Sequence, residues 1–309
     1  MSAGARSHTA PPDRRPVTLP RLAEMKEAGE PISMITAYDY PSAKVAEEAG
    51  VDIVLVGDSA AMVVLGYPGT EPVSMDEMIV LGKAVRRGLA TPLMVGDMPM
   101  GSYEASNELA VANAQRLVKE TGCQTVKLEA GGTSVERARA IINAGIPVMG
   151  HVGLTPQTAT ALGGYKAQGK TARGAIKIFE EALALQSVGC FAIVLEAVPA
   201  AVTEAMVERL EVPTIGIGAG PATSGQVLVF HDLLGITTGR TAKFVKRYAE
   251  VHEAMVGGVR SYVEEVRSRS FPEAEHVYGV EPAELAELRR YLEQESLSSQ
   301  KAWDWEPLS

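Results

Sequence analysis

Eight short runs of apolar, often β-branched residues recur along the chain, and segments with helical periodicity separate them. The apolar runs cover residues 32–36, 53–57, 93–97, 125–129, 147–151, 191–196, 213–217 and 226–231. Nearly continuous apolarity over so few residues is typical of strands that are buried on both faces, as in a parallel sheet. Amphipathic helices are predicted at 42–49, 75–88, 105–120, 134–144, 171–187 and 200–210. This alternation predicts an α/β protein with a (β/α)8 TIM barrel, and an open doubly wound sheet is the alternative.

Charge and apolar content limit the class of protein further. The chain has 29 Lys and Arg residues against 38 Asp and Glu, a net charge of −9, and only 5% aromatic residues. An acidic chain without a basic stripe is poorly suited to bind nucleic acid. No run of about 18 uncharged apolar residues is present that would cross a membrane, and the N-terminus lacks the apolar stretch of a secretory signal. We therefore expect a cytoplasmic protein with no nucleic-acid or membrane partner.

The composition changes at both ends of the chain. Residues 1–16 carry Ser, Pro, Arg and Gly with almost no large apolar side chain, which predicts a disordered N-terminal arm. We expect the barrel to occupy residues 17–279 and a C-terminal helical tail to occupy 280–309. The tail contains both tryptophans of the chain, Trp303 and Trp305, and tryptophans are more often buried than free. The tail is therefore expected to dock on the barrel or on a neighbouring subunit.

Two further helices are predicted after the last apolar run. Residues 243–268 have the pattern of one long helix, interrupted by Gly257 and Gly258. A shorter helix is predicted at 282–294, where leucines recur at helical spacing.

Polar residues stand at or just beyond the ends of five consecutive predicted strands. They are Asp58 and Ser59, then Asp97, then Lys127 and Glu129, then His151, and finally Glu196. Any one of them could simply cap the following helix. In a parallel barrel, however, all strands point the same way, so these side chains would converge at the end where barrel enzymes keep their active sites. The repeated pattern favours convergence over capping.

The residue types at these positions indicate a hard divalent cation. Three carboxylates without a Cys or His cluster offer the oxygen ligands that Mg²⁺ prefers, and the five histidines show no zinc-ligand spacing. Lys127 would pair with an anionic substrate or, alternatively, form a structural ion pair with the carboxylates. Glu196, two strands beyond Glu129, is a candidate acid or base. His151 could equally be a structural or a catalytic histidine.

Two loops are candidates for ligand contact. The segment 216–220 has the spacing Gly-x-Gly-x-Gly and runs into Pro221, which makes it a weak match to a dinucleotide-binding fingerprint. After a barrel's seventh strand it could still bring backbone amides close to a ligand. Residues 162–170 lack apolar periodicity and are expected to form a long active-site loop, with a plain surface linker as the alternative.

From about residue 18 to 278 the chain resembles the ketopantoate hydroxymethyltransferase family. The resemblance rests on the joint order of TAYDYPSA (36–43), VGDS (56–59), PVSMDEM (72–78), VRRG (85–88), GDMP (96–99), VKLE (126–129), GHVGLTPQ (150–157), GGYKAQG (163–169), LEAVP (195–199), IGIGAG (215–220) and HD (231–232). It departs from the family pattern after Glu129, where Ala130 precedes the expected Gly-Gly, and it does not cover residues 280–309.

The resemblance implies a barrel of the phosphoenolpyruvate/pyruvate type, commonly assembled as a homodecamer. It implies Mg²⁺ bound through Asp58, Asp97 and Glu129, and substrate contacts from Asp58, Ser59, Asp97 and Lys127. Glu196 matches the proton acceptor, and His151 would be an accessory residue. The implied reaction transfers a hydroxymethyl group from 5,10-methylenetetrahydrofolate to 3-methyl-2-oxobutanoate through a Mg²⁺-stabilised enolate. The product is 2-dehydropantoate, a precursor in pantothenate and coenzyme A biosynthesis.

Two alternatives stay open from the sequence. The first is a Mg²⁺-dependent C–C or C–P lyase or mutase of the same barrel group, which acts on a 2-oxo acid. Such lyases typically need a reactive cysteine in a flexible loop, whereas Cys123 and Cys190 lie at predicted helix–strand junctions, where small buried apolar residues are expected. The second is a barrel that binds a ligand without turnover.

Overall fold

A computed structural model of the chain describes residues 14–239 and 241–299, and it contains a closed barrel of eight parallel strands in sequence order. The strands are β1 (Ile32–Thr36), β2 (Ile53–Val56), β3 (Leu93–Asp97), β4 (Thr125–Glu129), β5 (Val148–Gly153), β6 (Ala192–Glu196), β7 (Thr214–Ile217) and β8 (Gly225–Leu228). Pairing of β1 with β8, with Ile32 opposite Gly225, closes the barrel. The predicted TIM barrel is confirmed, and the open sheet is excluded.

Helices follow the strands much as predicted. They are α1 (Leu19–Glu27), α2 (Tyr40–Ala49), α3 (Ala60–Val63), α4 (Met75–Gly88), α5 (Asn107–Thr121), α6 (Ser134–Asn143), α7 (Ala172–Ser187), α8 (Ala200–Val207), α9 (Phe230–Leu233), α10 (Val251–Ser268) and α11 (Pro282–Ser299). Short 3-10 turns lie at Pro156–Thr158 and Ala274–His276. Ser74 and Glu77 form a capping box at the start of α4, and Gly50 ends α2 in the left-handed conformation. Local signals therefore fix several helix ends.

The prediction of one helix over 243–268 is wrong, because α10 begins only at Val251. Before it, the backbone pairs with another part of the chain: the Tyr248 N–H donates to the Leu233 carbonyl, and the Val251 N–H donates to the Leu234 carbonyl. These bonds replace the i to i−4 bonds that a helix would need. Gly257 and Gly258 lie inside α10 and do not interrupt it.

The chain divides into two compact units between His252 and Glu253, earlier than the predicted boundary at 280. The first unit contains the whole barrel, and the second contains most of α10 together with α11. Within the predicted arm, Arg14 forms an ion pair of 2.7 Å with Asp52, while residues 1–13 lie outside the described part of the chain. Trp303 and Trp305 of the predicted tail also lie outside it. The helix predicted at 282–294 continues to Ser299.

Apolar side chains fill the half of the barrel nearest the amino ends of the strands, and α1 covers that end. Leu22 and Met25 of α1 are buried in the same cluster as interior residues of the strands, such as Ile53 and Val95. The Lys26 ammonium donates to the carbonyls of Leu210 and Val212, just before β7, which holds α1 against the strand starts. The interior of the barrel is thus a packed core at the amino ends of the strands, and a cavity can open only at their carboxyl ends.

None of the helices in the described residues is both long enough and apolar enough to span a membrane.

Replacement of Leu22 by alanine tests the closure of the barrel by α1. Because this side chain is fully buried, we expect Leu22→Ala to lower the free energy of unfolding by about 3 kcal/mol, as cavity-forming core substitutions do. Urea unfolding at fixed protein concentration measures the change. Glu24→Ala, an exposed change on the same helix, is the control and should stay within about 0.5 kcal/mol of the unmodified protein. Equal effects of the two substitutions would contradict the assignment.

Candidate active site

All the predicted site residues lie at the carboxyl ends of the strands and line one cavity of about 1130 Å³. They are Asp58, Ser59, Asp97, Lys127, Glu129, His151 and Glu196. Parallel strand direction is what brings them together, because each stands at or just after the end of a strand. The convergence that the sequence predicted is thus present in the structure.

Lys127 and Asp97 form the closest ion pair in this group. They are direct partners in the β3–β4 register, and the Lys127 Nζ lies 2.8 Å from the Asp97 Oδ1. Both side chains are almost inaccessible to solvent. Burial alone would lower the pKa of Lys127, but the charges of Asp97, Asp58 and Glu129 outweigh it and raise that pKa above its ordinary value. Lys127 is therefore a permanent positive charge in the cavity.

Negative charge is in excess around this ammonium group. Burial and the neighbouring Asp58 raise the pKa of Asp97 to about 7, even though Lys127 acts to lower it. The Asp58 N–H donates to the Asp97 Oδ2 over 3.1 Å, which joins the two residues at the ends of β2 and β3. Such a cluster is costly without a further positive partner.

His151 lies between two glutamates. Its Nδ1 is 3.6 Å from the Glu129 Oε1, and its Nε2 is 3.3 Å from the Glu196 Oε2. Burial and Lys127 would lower the pKa of His151, but the two glutamates outweigh them and raise it to about 9. Burial also raises the pKa of Glu129. The imidazole therefore links Glu129 to Glu196 across the cavity, which fits a supporting role.

The backbone around Glu196 is tightly constrained. The Glu196 carbonyl accepts a hydrogen bond of 2.9 Å from the Leu154 N–H, and Ala197 follows in the left-handed region with φ of 50°. The Ala197 N–H donates to the Ile217 carbonyl over 2.8 Å. Gly153 packs so closely that an added Cβ would lie 2.3 Å from the Glu196 carbonyl oxygen. Of the two glutamates beside His151, Glu196 is the more exposed to solvent, with 15% of its side chain accessible. The neighbouring strands β5 and β7 hold its backbone in place.

Apolar side chains surround the charged groups. Leu55, Val194, Ile217 and Val227 line the cavity from the barrel interior. A cavity with an apolar floor and a few convergent charged groups is typical of a small-molecule site. It fits a ligand with a polar, anionic end and a short hydrocarbon part.

Both loops singled out in the sequence reach the cavity. Tyr165, Lys166 and Ala167 of the loop 162–170 line it, and the Gln168 N–H donates to the Ala197 carbonyl over 2.9 Å. This loop is therefore joined to the residue that follows Glu196. In the glycine-rich segment 216–220, Gly218 and Gly220 also line the cavity, and Phe244 covers Gly218 so closely that no side chain would fit there.

Sequence reasoning missed three residues that support the site. Gln157 donates from its side chain to the Asp58 Oδ2 over 2.9 Å, and its backbone N–H donates to the Glu129 Oε2 over 3.1 Å. Tyr103 contacts Gln157 with its hydroxyl group, 2.7 Å from the Gln157 Oε1. The hydroxyl groups of Tyr38 and Ser59 are 2.8 Å apart. Gln157 is the last residue of the motif GHVGLTPQ and Tyr38 lies in the motif TAYDYPSA, and these positions were the available signals.

The carboxylates suit a hydrated divalent cation. The Glu129 Oε1 is buried and accepts no hydrogen bond from the described residues, and the His151 Nδ1 lies 3.6 Å away, so this oxygen has room for a closer positive partner. Among residues 14–239 and 241–299, one group of three potential metal-ligand atoms lies within 4.8 Å of one another. It belongs to the exposed Glu273, Glu275 and His276. The barrel carboxylates do not form such a group, so a Mg²⁺ ion held there would keep several waters and use one or two carboxylates directly.

The residue that departs from the family pattern, Ala130, leaves Glu129 in place. Glu129 pairs with His151 at the end of β4, and the Ala130 N–H donates to the His151 carbonyl over 2.7 Å. The chain then turns through Gly131 and Gly132, both with positive φ. The extra residue is thus accommodated after the strand.

Comparisons with known proteins agree with this geometry. Residues 16–274 match the family model described as ketopantoate hydroxymethyltransferase. A Moorella thermoacetica protein named 3-methyl-2-oxobutanoate hydroxymethyltransferase is 54% identical over 265 residues, or 86% of this chain and 98% of that protein. A protein of the same name from Carboxydothermus hydrogenoformans is 53% identical over 266 residues, or 86% of this chain and 96% of that protein.

Solved structures with low sequence identity share the fold. A phosphonopyruvate hydrolase complex with oxalate and Mg²⁺ aligns with a TM-score of 0.55 and 14% identity, over 92% of this chain and 98% of that one. A 2,3-dimethylmalate lyase, described as a member of the PEP mutase/isocitrate lyase superfamily, aligns with a TM-score of 0.54 and 15% identity, over 92% and 98% of the two chains. These likenesses indicate the type of barrel alone.

Gly153→Ala tests the packing behind Glu196. The new methyl group would overlap the Glu196 carbonyl oxygen, so we expect a loss of unfolding free energy of at least about 2 kcal/mol, from overpacking and from the positive φ. Gly145→Ala is a matched control, because Gly145 has a similar φ of 89° and nothing within 4 Å of an added Cβ. It should cost about 1 kcal/mol. Equal losses in urea unfolding would show that backbone strain alone, and not this contact, requires glycine at 153.

Proposed function

Because the chain belongs to the ketopantoate hydroxymethyltransferase family, we propose that it transfers the one-carbon unit of 5,10-methylenetetrahydrofolate to 3-methyl-2-oxobutanoate and yields 2-dehydropantoate. The observation that carries the proposal is the set of carboxylates around Lys127, above an apolar barrel floor. 3-Methyl-2-oxobutanoate has a carboxylate and a keto oxygen at one end and an isopropyl group at the other. These parts match the charged and the apolar sides of the cavity.

Asp58, Asp97 and Glu129 would hold Mg²⁺. When bound, the ion would supply Lewis-acid polarisation of the keto group of the substrate, which makes the hydrogen on C3 more acidic. The unsatisfied Glu129 Oε1 and the excess of carboxylates over ammonium groups support this assignment. Asp58 and Asp97 follow neighbouring strands, and the hydrogen bond from the Asp58 N–H to the Asp97 Oδ2 brings the two residues together as candidates for direct ligands.

Lys127 and Ser59 would bind and orient the anionic substrate. The ammonium of Lys127 is held by Asp97 at 2.8 Å and cannot leave the cavity, so it offers a fixed positive charge to a carboxylate. The hydroxyl of Ser59 is fixed by Tyr38, whose own side chain is 1% exposed. Little ordering entropy is then lost when the substrate binds.

Glu196 would remove the proton from C3 of the keto acid. Its carboxylate is within 3.3 Å of the His151 Nε2, which can stabilise the ionised glutamate before the reaction. The resulting carbanion-like C3 attacks the methylene carbon of the folate. Over the whole reaction that carbon exchanges two bonds to folate nitrogens for one bond to C3 and one to the oxygen of water. The two nitrogens receive the proton from C3 and one proton from water.

A lyase activity that depends on a cysteine is disfavoured by the two thiols. Cys123 and Cys190 are 2% and 1% exposed. Burial raises the pKa of the Cys190 thiol to about 12 and raises that of Cys123 as well. A neutral buried thiol is a poor catalyst, because the thiolate is the reactive form. The homodecamer and the cytoplasmic location expected from the resemblance stay predictions.

Proton exchange at C3 tests the proposed reaction directly. Proton NMR of 3-methyl-2-oxobutanoate in D₂O with the purified protein should show loss of the C3 signal that depends on Mg²⁺ and stops on addition of EDTA. Addition of 5,10-methylenetetrahydrofolate should then give 2-dehydropantoate. Exchange without transfer would contradict the folate co-substrate. Measured Mg²⁺ binding with neither exchange nor transfer would overturn the proposed activity.

The role of Glu196 is tested with Glu196→Gln in the same assay. Since a positioned general base contributes about 100-fold or more, we expect the exchange rate to fall by at least that factor, with the Mg²⁺ dissociation constant changed by less than about threefold. Glu208→Gln, an exposed change of the same chemistry, should leave the rate unaltered. Retained exchange in Glu196→Gln would contradict the role as base and would favour protonation of the folate nitrogen by this residue.

A further inference from the structure

We propose that Gln157 is the positioning residue that ties together the three strand ends bearing the predicted Mg²⁺ ligands. The inference rests on the proposed function, because it concerns the ion that this function requires. Gln157 lies in the 3-10 turn after β5, outside the strands that carry the carboxylates, and its side chain is 3% exposed. Its contacts reach across the mouth of the barrel.

Gln157 donates three hydrogen bonds, one toward each of these strand ends. Its backbone N–H reaches the Glu129 Oε2 at the end of β4 over 3.1 Å. Its Nε2 reaches the Asp58 Oδ2 beyond β2 over 2.9 Å and the Met98 carbonyl, next to Asp97, over 3.0 Å. Every donor of this residue is therefore engaged at the carboxylate cluster.

Tyr103 fixes the orientation of the Gln157 amide. The Tyr103 hydroxyl accepts from the Glu129 N–H over 3.4 Å and donates to the Gln157 Oε1 over 2.7 Å. The partners of the Gln157 Nε2, a carboxylate oxygen and a backbone carbonyl, can only accept. A flipped amide would therefore lose its bonds to Asp58 and to the Met98 carbonyl. Tyr103 is 2% exposed, so water cannot readily replace these contacts.

A neutral amide suits this place better than a charged group. A lysine or arginine would neutralise the carboxylates and compete with the ion for them. Gln157 instead satisfies one oxygen of Asp58 and one oxygen of Glu129 and leaves their negative charge intact. The Glu129 Oε1 is left buried and without a donor from the described residues. The side-chain amide and the backbone N–H of Gln157 thus each occupy one carboxylate oxygen, of Asp58 and of Glu129, and leave the other oxygen of each for a cation.

The experiment measures Mg²⁺ binding by titration calorimetry without substrate, together with thermal unfolding with and without Mg²⁺. Gln157→Met keeps the length of the side chain and removes its two amide donors, while the backbone N–H to Glu129 stays. Tyr103→Phe removes the hydroxyl that orients the amide and that accepts from the Glu129 N–H. Gln168→Met is the matched control, because the Gln168 amide contacts only the Lys166 carbonyl, over 2.9 Å. Groups that hold metal ligands in place typically contribute about 10- to 100-fold to affinity.

We expect Gln157→Met to raise the Mg²⁺ dissociation constant by at least about tenfold and to reduce the Mg²⁺-induced rise in Tm. Tyr103→Phe should cause a smaller increase in the same direction, and Gln168→Met should bind like the unmodified protein. An unchanged dissociation constant in folded Gln157→Met would overturn the inference. If that variant does not fold, an unchanged constant in Tyr103→Phe would overturn it instead. Absence of Mg²⁺ binding by the unmodified protein would overturn the proposed metal site as well.

Discussion

The burial of several like charges at the mouth of an apolar barrel governs the arrangement of the whole site. One ammonium group, that of Lys127, faces Asp58, Asp97 and Glu129 in a region almost closed to water. Isolated buried charges cost several kcal/mol each, so every group must have a partner at a defined distance. The strand register provides the first such partner by placing Lys127 beside Asp97. The remaining negative charge suits a divalent cation, and a bound cation would in turn attract an anionic substrate.

The sequence predicted the barrel and its charged end well, for a simple physical reason. Strands buried on both faces are nearly continuous apolar runs, and all parallel strands end at the same side of the barrel. A polar residue at the end of such a run must therefore lie at the carboxyl end of the barrel. Asp97, Glu129 and Glu196 could therefore be assigned to one site without any knowledge of their contacts, and each lines the cavity.

The parts that depend on irregular backbone could not be predicted in the same way. Gln157 reaches the carboxylates from a short turn, and Tyr103 reaches Gln157 from the segment before α5. The location of neither residue can be predicted from the two-residue period of a strand or the 3.6-residue period of a helix. The segment 243–250 has the composition of a helix, but the backbone N–H groups of Tyr248 and of Val251, just after it, donate to the carbonyls of residues 233 and 234. Tertiary hydrogen bonds therefore override local propensity there.

The left-handed backbone conformation of Ala197 lowers the stability of the fold and at the same time restricts the backbone next to Glu196. An alanine with φ of 50° is less stable than a glycine there by about 1 kcal/mol, so the fold carries a strained link directly after Glu196. A glycine would relieve the strain, but it would also widen the range of angles that this link can adopt. The chain therefore gives up some folding free energy at this position, and in return the backbone beside Glu196, the proposed base, is confined to a narrow range of angles.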